Sequence, residues 1–230
     1  MVIPDDIASI CKDHGIWFHV DGAYGGLFAL SPEGKSILTG IERADTVVLD
    51  PHKTLFLPYG TGAVLARDRN HLLKPFSSKA RYIQDFLDEN GEISPSDLSI
   101  ELTRHFRGLR LWLPLQLAGV SAFRAALSEK ILLARYFHAR MSKLPHFEVG
   151  SAPDLSIVTF RYLPSGADPN QVNDTLLRTL QRSGHVFLSG TDLDGKVFLR
   201  CAIMSFRTHL SDILTTIEAI SDAAKNVHLN

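Results

Sequence analysis

Residues 44–62 read ADTVVLDPHKTLFLPYGTG. The run Thr46–Leu49 is four residues of β-branched or aliphatic side chains, and an acid, a proline and a His-Lys pair follow it at once. A run so short and apolar reads as a strand, which the Asp-Pro step ends. Past the glycines, Gly62–Ala66 (GAVLA) is a second such run, and Ile16–Val20 (IWFHV) upstream is a third. Short apolar strands with helices between them predict a parallel or mixed sheet covered on both faces, hence an α/β fold.

Working outward, Ile7, Ile10 and Cys11 fall on one face of a helix predicted over Pro4–Asp13, with Pro4 in its first turn and Gly15 at its end. From Ser77 to Ser99 the sequence turns polar, carries Asn90-Gly91 and Pro95 and keeps no period, so a long loop is expected there, of the functional or mobile kind. Helical spacing resumes at Glu101 through Leu102, Phe106, Leu109, Leu113 and Leu117, with a kink expected at Pro114. A second amphipathic stretch covers 121–144. After Pro145 the pattern is strand 155–161, helix 169–183, strands 185–189 and 196–203, and helix 209–226, with Asp168-Pro169 and Ser211 as helix starts. The expected domains are 1–118, a large α/β piece containing the loop 77–99, and 119–230, a bridging helix and a small α+β domain.

Composition narrows the function. The 230 residues carry 24 Lys and Arg against 25 Asp and Glu, which leaves no electrostatic footprint for nucleic acid. A mean hydropathy of +0.03 argues against disorder. No apolar stretch approaches the roughly 20 residues of a membrane span. The first residues, MVIPDDIASICKDHG, place acids where an export signal has a basic region. Cys11 and Cys201 lie in apolar segments and read as buried thiols of a reducing compartment, so a cytoplasmic protein is expected. Ten histidines show no metal-ligand spacing, and no metal site is read.

Two segments carry candidate chemistry. In His19–Gly26 (HVDGAYGG), Asp21 stands at the carboxyl end of a strand among small residues, where open α/β sheets bind ligands. Lys53 stands just past the end of another strand, 32 residues later, beside His52. Each alone has a plain reading, a turn-capping carboxylate and a surface lysine. Together they place a carboxylate and an amine on one sheet edge, as enzymes that hold pyridoxal phosphate do.

WFHVDGAYGG and ADTVVLDPHKTLFLPYGTG resemble the group II pyridoxal-phosphate-dependent amino-acid decarboxylases, and RHFRGLRLW and FLRCAIMSFRT look like further segments of that family. The resemblance implies the C-terminal part of a type I, aspartate-aminotransferase-like fold: an incomplete large-domain sheet plus a small α+β domain. It implies pyridoxal 5'-phosphate as cofactor, with Lys53 as the Schiff-base lysine, Asp21 on the pyridine nitrogen, Ala23 against one ring face and His52 near the phosphate. Loss of CO₂ would leave an electron pair that the protonated ring delocalises into a quinonoid. Tyr82, 29 residues past Lys53, resembles the loop tyrosine that reprotonates carbon; aldehyde-forming relatives tend to carry Phe there. Arg200 resembles a substrate-carboxylate clamp, a task suited to a guanidinium fork, with a salt bridge between domains as its structural alternative. Arg104, His105, Arg107 and Arg110 read as a solvated or interdomain helix face.

Family members have a further N-terminal half, which carries the phosphate loops and the first strands. The chain is therefore expected to be a C-terminal half, with little activity alone. The expected partners are a small amino acid, and a second copy in a homodimer or an N-terminal-half chain; no nucleic acid or membrane is expected. The expected reaction is decarboxylation of an L-amino acid to its amine. The alternatives are a carbon–carbon lyase or aldehyde-forming relative, and a non-catalytic remnant that only associates with another chain. At Gly22, where many members have alanine, no meaning is read.

Overall fold

The computed structural model describes residues 4–76 and 93–227. They form two compact units. One runs through Leu27 and again from Leu38 to Gly119; the other comprises Phe28–Ile37 and the chain from Val120 onward.

The first unit opens on helix α1, Pro4–His14, with Asp5 and Asp6 in its first turn and Lys12 and His14 in its last, each sign matched to the helix dipole. Gly15 takes φ 64°, and the Ile16 amide reaches back to the Cys11 carbonyl at 2.8 Å. That left-handed glycine and the long return bond stop the helix and turn the chain into strand β1, His19–Asp21. β1 pairs in parallel with β2, Thr46–Leu49, which pairs antiparallel with β3, Ala63–Ala66, giving the order β1-β2-β3. Phe18 and Asp45 start the parallel pairing: Phe18 N–H donates to the Asp45 carboxylate and Asp45 N–H to the Phe18 carbonyl, both at 2.8 Å. Ala8, Phe18 and Ala44 form a small buried cluster between α1 and the strands. Arg43 fastens α1 to this layer through Asp5 Oδ1 at 2.6 Å and Ser9 Oγ at 3.0 Å.

Helix α2, Pro32–Ile37, belongs to the second unit, whereas the one-turn helix α3, Pro51–Thr54, and helix α4, Asn70–Phe76, belong to the first; helix α5, Leu109–Met141, carries the chain from the first unit into the second. There β4 (Phe147–Val149), β5 (Ile157–Tyr162), β6 (Ser189–Leu193) and β7 (Lys196–Ala202) form an antiparallel sheet in the order β4-β5-β7-β6. Helices α6, Pro169–Ser183, and α7, Leu210–Val227, share one core with it. Alternation along β5 and β7 sends Val158, Phe160, Leu199 and Cys201 into that core, with Leu133 and Phe137 of α5. Helix α6 has both ends marked chemically: the Asp168 carboxylate accepts from Asn170 N–H, Pro169 follows, and Gly184 closes at φ 71°.

Several expectations are corrected. The helix expected from Glu101 begins at Leu109. Leu102 and Phe106 are 62% and 76% exposed, so their periodic spacing buries no helix face, and Glu101 is held by Arg107 across a loop. The break in α5 falls at Gly119 rather than Pro114. Pro114 lies in the second turn and forfeits one bond, whereas φ 74°, ψ 154° at position 119 is open essentially to glycine alone. The strand expected at 185–189 runs from Ser189 to Leu193 instead. Asp194 and Gly195, at φ 53° and 74°, form the two-residue turn that sets the register Leu193↔Lys196 and draws the polar residues SGTDL into pairing. Cys201 is buried as expected, but Cys11 is only partly so. The loop expected over 77–99 lies mostly outside the described residues; its end forms a 3₁₀ turn, Pro95–Leu98, closed by a Ser94–Asp97 capping box.

Candidate active site

β1 and β2 run in the same direction, so their carboxyl ends lie at one sheet edge, with Asp21 opposite Val48 in the register. Asp21 ends β1. Its carboxylate accepts the Ala23 N–H at 3.1 Å, which folds the chain back over the strand end and leaves the rest of the acid exposed. Gly22 makes this turn possible. A Cβ there would stand 2.9 Å from the Val48 carbonyl oxygen and 3.2 Å from Gly26 Cα, both backbone atoms. The position to which the sequence lent no meaning is thus a close approach between the Asp21 turn and β2.

Past the end of β2, Asp50 takes the N-cap position and Pro51 the first position of α3. Proline's fixed φ suits that position and forfeits no bond there. Pro51, Thr54, Leu55 and Leu57 are buried, so the turn is anchored on its apolar side and presents His52 and Lys53 on the other. Lys53 Nζ lies 2.7 Å from Asp50 Oδ2, an ion pair with the lysine side chain 40% and the aspartate 18% exposed. His52 Nδ1 lies 2.7 Å from the Thr61 carbonyl oxygen. A carbonyl only accepts, so Nδ1 carries the proton, and in the neutral ring Nε2 keeps its lone pair. Tyr59 sets its ring edge-on to His52 at 5.1 Å between centroids, and its carbonyl is held by Arg110 Nη1 at 3.1 Å.

An open hollow of about 590 Å³ adjoins this turn, lined by Gly62, Ser94–Ser96 and Glu101–Gly108. The basic cluster read as a helix face is divided. Arg104, His105 and Arg107 precede α5, and only Arg110 lies within it. Arg107 grips Glu101 with both ends of its fork, at 2.8 and 2.9 Å, and this hydrogen-bonded guanidinium holds the Glu101 carboxyl below its ordinary range.

Of the residues singled out in the sequence, Asp21, Ala23, His52 and Lys53 lie in one unit, on and just beyond the ends of adjacent strands. Arg200 belongs to the other unit, on β7 between Thr159 of β5 and Ser189 of β6, half-buried. Burial pushes the neighbouring Cys201 thiol up to about 12, with the Arg200 charge opposing it. Tyr82 lies outside the described residues. Two participants were missed. Asp50 was quoted in its motif without a role, although its i, i+3 spacing to Lys53 on a helical turn is the signal for an ion pair. The Thr61 carbonyl orients His52, and backbone acceptors leave no mark in side-chain patterns. Among the described residues no group of three His, Cys, Asp or Glu side chains is placed to hold a metal, and no helix is long and apolar enough to cross a membrane.

The donor set fits the cofactor that the motifs imply. Asp21 offers an exposed carboxylate for a ring N–H, and Lys53 an amine for a carbonyl, at one edge of one sheet.

Comparison with known proteins agrees. Residues 3–163 match the pyridoxal-dependent decarboxylase conserved domain. The chain is 38% identical to an aromatic-L-amino-acid decarboxylase of Bacillus atrophaeus over 98% of its own length and 48% of that protein. It is 31% identical to a phenylacetaldehyde synthase of Arabidopsis thaliana, over 86% of its length and 41% of that protein. The crystal structure of Catharanthus roseus tryptophan decarboxylase in complex with L-tryptophan superposes with a TM-score of 0.85 at 27% identity, covering 97% of this chain and 47% of that one. The chain spans about half the length of these relatives, and its fold is theirs, as the motifs imply.

Proposed function

The chain belongs to the pyridoxal-dependent decarboxylase family, and from that premise we propose that it forms the lysine-bearing part of an enzyme that converts an L-amino acid to its amine and CO₂. One observation carries the reading: Lys53, on a buried-anchored turn just past β2, shares a sheet edge with Asp21 at the end of β1. Bound there, pyridoxal 5'-phosphate would supply a ring that accepts the electron pair left on the α-carbon when CO₂ departs.

The chain's residues then divide the remaining work. Lys53 Nζ would hold the cofactor at its carbonyl carbon, with loss of one water. Asp21 would accept the ring N–H and keep that nitrogen protonated, a charge-assisted bond of about 1.5–3 kcal/mol. Ala23 leaves one ring face close to the backbone. His52, its tautomer set by Thr61, would keep Nε2 available for the cofactor phosphate. Tyr82 returns a proton to carbon, and Arg200 takes a substrate carboxylate. Relatives named for aromatic amino acids make an aromatic L-amino acid the first substrate to test. Since the chain spans about half of its relatives, we assign the phosphate loops to the remaining part of the enzyme, and completion of the site to a second subunit in a homodimer.

The test is reductive trapping. Incubation with pyridoxal 5'-phosphate and borohydride, followed by peptide mass spectrometry, is expected to mark Lys53 above every other lysine and to mark nothing at that position in Lys53→Ala. Uniform marking of all lysines would remove the reading. A second reading, formation of an aldehyde, is favoured by the Arabidopsis relative; the tyrosine at position 82 favours the amine, and product analysis with the complete enzyme separates the two.

A further inference from the structure

Asp50 stands at a helix N-cap yet caps nothing. An aspartate in that position ordinarily accepts the N–H of the second or third residue of the helix. Here no such side-chain bond forms; the carboxylate reaches past the backbone to Lys53 Nζ at 2.7 Å. Nothing competes for it from the neighbouring imidazole, because His52 Nδ1 is spent on the Thr61 carbonyl. Gly62 supplies the room: a Cβ there would stand 3.2 Å from Asp50 Oδ1, tighter than an ordinary contact. Arg110, on α5, donates from Nη1 to the Tyr59 carbonyl at 3.1 Å.

We infer that Asp50 is the resting partner of the Lys53 amine, a positioning residue that holds Nζ whenever the amine is free and yields it for reaction. The inference rests on the proposed role of Lys53. Condensation of an amine with an aldehyde forms one C=N bond and releases one water, and it needs the nitrogen lone pair. A nitrogen held as an ammonium against Oδ2 must first lose a proton to solvent and leave the carboxylate. The contact therefore holds back capture of a carbonyl, and it gives the amine a fixed place to return to when substrate displaces it. Asp50 at the N-cap and Lys53 three residues on are joined across a single turn.

Pulse acetylation with acetic anhydride, read by peptide mass spectrometry, tests the pair without any cofactor. In Asp50→Asn, which keeps the shape and removes the charge, Lys53 is expected to react about two- to fivefold faster, the range for losing a partly exposed ion pair, while Lys12, Lys35 and Lys74 keep their rates. In the unchanged protein, raising salt is expected to speed Lys53 relative to the exposed Lys74, since screening weakens an exposed pair; this arm needs no variant to fold. Equal Lys53 rates in variant and parent, or no salt effect on the Lys53-to-Lys74 ratio, would overturn the assignment. The cofactor trap described above judges the role of Lys53 separately. If that trap marks Lys53 while acetylation is indifferent to Asp50, only the present inference falls.

Discussion

Every residue of β5 is buried or half-buried, and one cluster runs from Phe137 on α5 through Phe160 and Leu199 to Ile217 and Ile220 on α7. In the other unit, Val64 and Leu65 of β3 are 55% and 56% exposed, both ends of β1 face solvent, and the cluster between α1 and the strands is Ala8, Phe18 and Ala44. Asp21, His52 and Lys53 lie in the less buried of the two. Its precision comes from turns rather than from packing volume: Asp21 folded onto Ala23, Pro51 opening α3, Thr61 holding His52, Gly22 pressed on Val48. A substitution in the four-stranded unit should therefore cost stability, and one at the sheet edge should cost geometry.

The largest effect tests the first half of that contrast. Phe160 is fully buried, with its ring set against Phe137 at 5.7 Å and Phe147 at 6.2 Å. Phe160→Ala is expected to lose about 3–5 kcal/mol of unfolding free energy in a urea titration, through lost burial plus an unfilled cavity. A loss under about 1 kcal/mol would mean that this core collapses around the gap and is no tighter than the other unit.

A middle-sized effect tests the second half. Gly22→Ala sets a methyl against the Val48 carbonyl, a backbone atom that cannot rotate away. Overpacking of this kind costs about 1–3 kcal/mol. The expected result is local: amides of the β1–β2–β3 ladder exchange with deuterium faster, those of β5 and β7 are unchanged, and trapping at Lys53 slows because the Asp21 turn is displaced. Faster exchange in both sheets alike would erase the distinction between the units.

The same contrast explains how much of the fold is legible in the sequence. Helix α6 was legible to the residue because Asp168, Pro169 and Gly184 mark its ends by local chemistry. The Asp21 and Lys53 positions were legible because strand ends and small-residue turns are local as well. What escaped depends on which face meets an apolar surface. Leu102 and Phe106 keep helical spacing without a surface to cover. The run Val186–Leu188 looks more strand-like than SGTDL, yet the Asp194-Gly195 turn decides the register and pairs the polar run. Asp50 escaped for another reason: its position predicts a cap, and only side-chain geometry shows the carboxylate turned to Lys53.

The smallest effect tests whether the segment Phe28–Ile37 belongs energetically with the four-stranded unit that it joins after a gap in sequence. Ser128 on α5 donates its hydroxyl to Glu33 Oε2 at 2.7 Å. That bond, with Glu33's own backbone N–H and the Arg135 charge, holds the Glu33 carboxyl below its ordinary 4.5 against the opposing cost of burial. A depressed native value means that the ionised acid favours the folded state. Its contribution is complete above the unfolded value and disappears as pH falls through the native one. The group is well solvated, so the contribution is a few tenths of a kcal/mol. Glu33→Gln should therefore sit slightly below the parent in stability at neutral pH, and the two urea midpoints should converge at a pH low enough to protonate the parent acid too. A gap of the same size at both pH values would assign the difference to packing rather than to charge. No gap at either would mean that Phe28–Ile37 lies on the four-stranded unit without a measurable tie through Glu33.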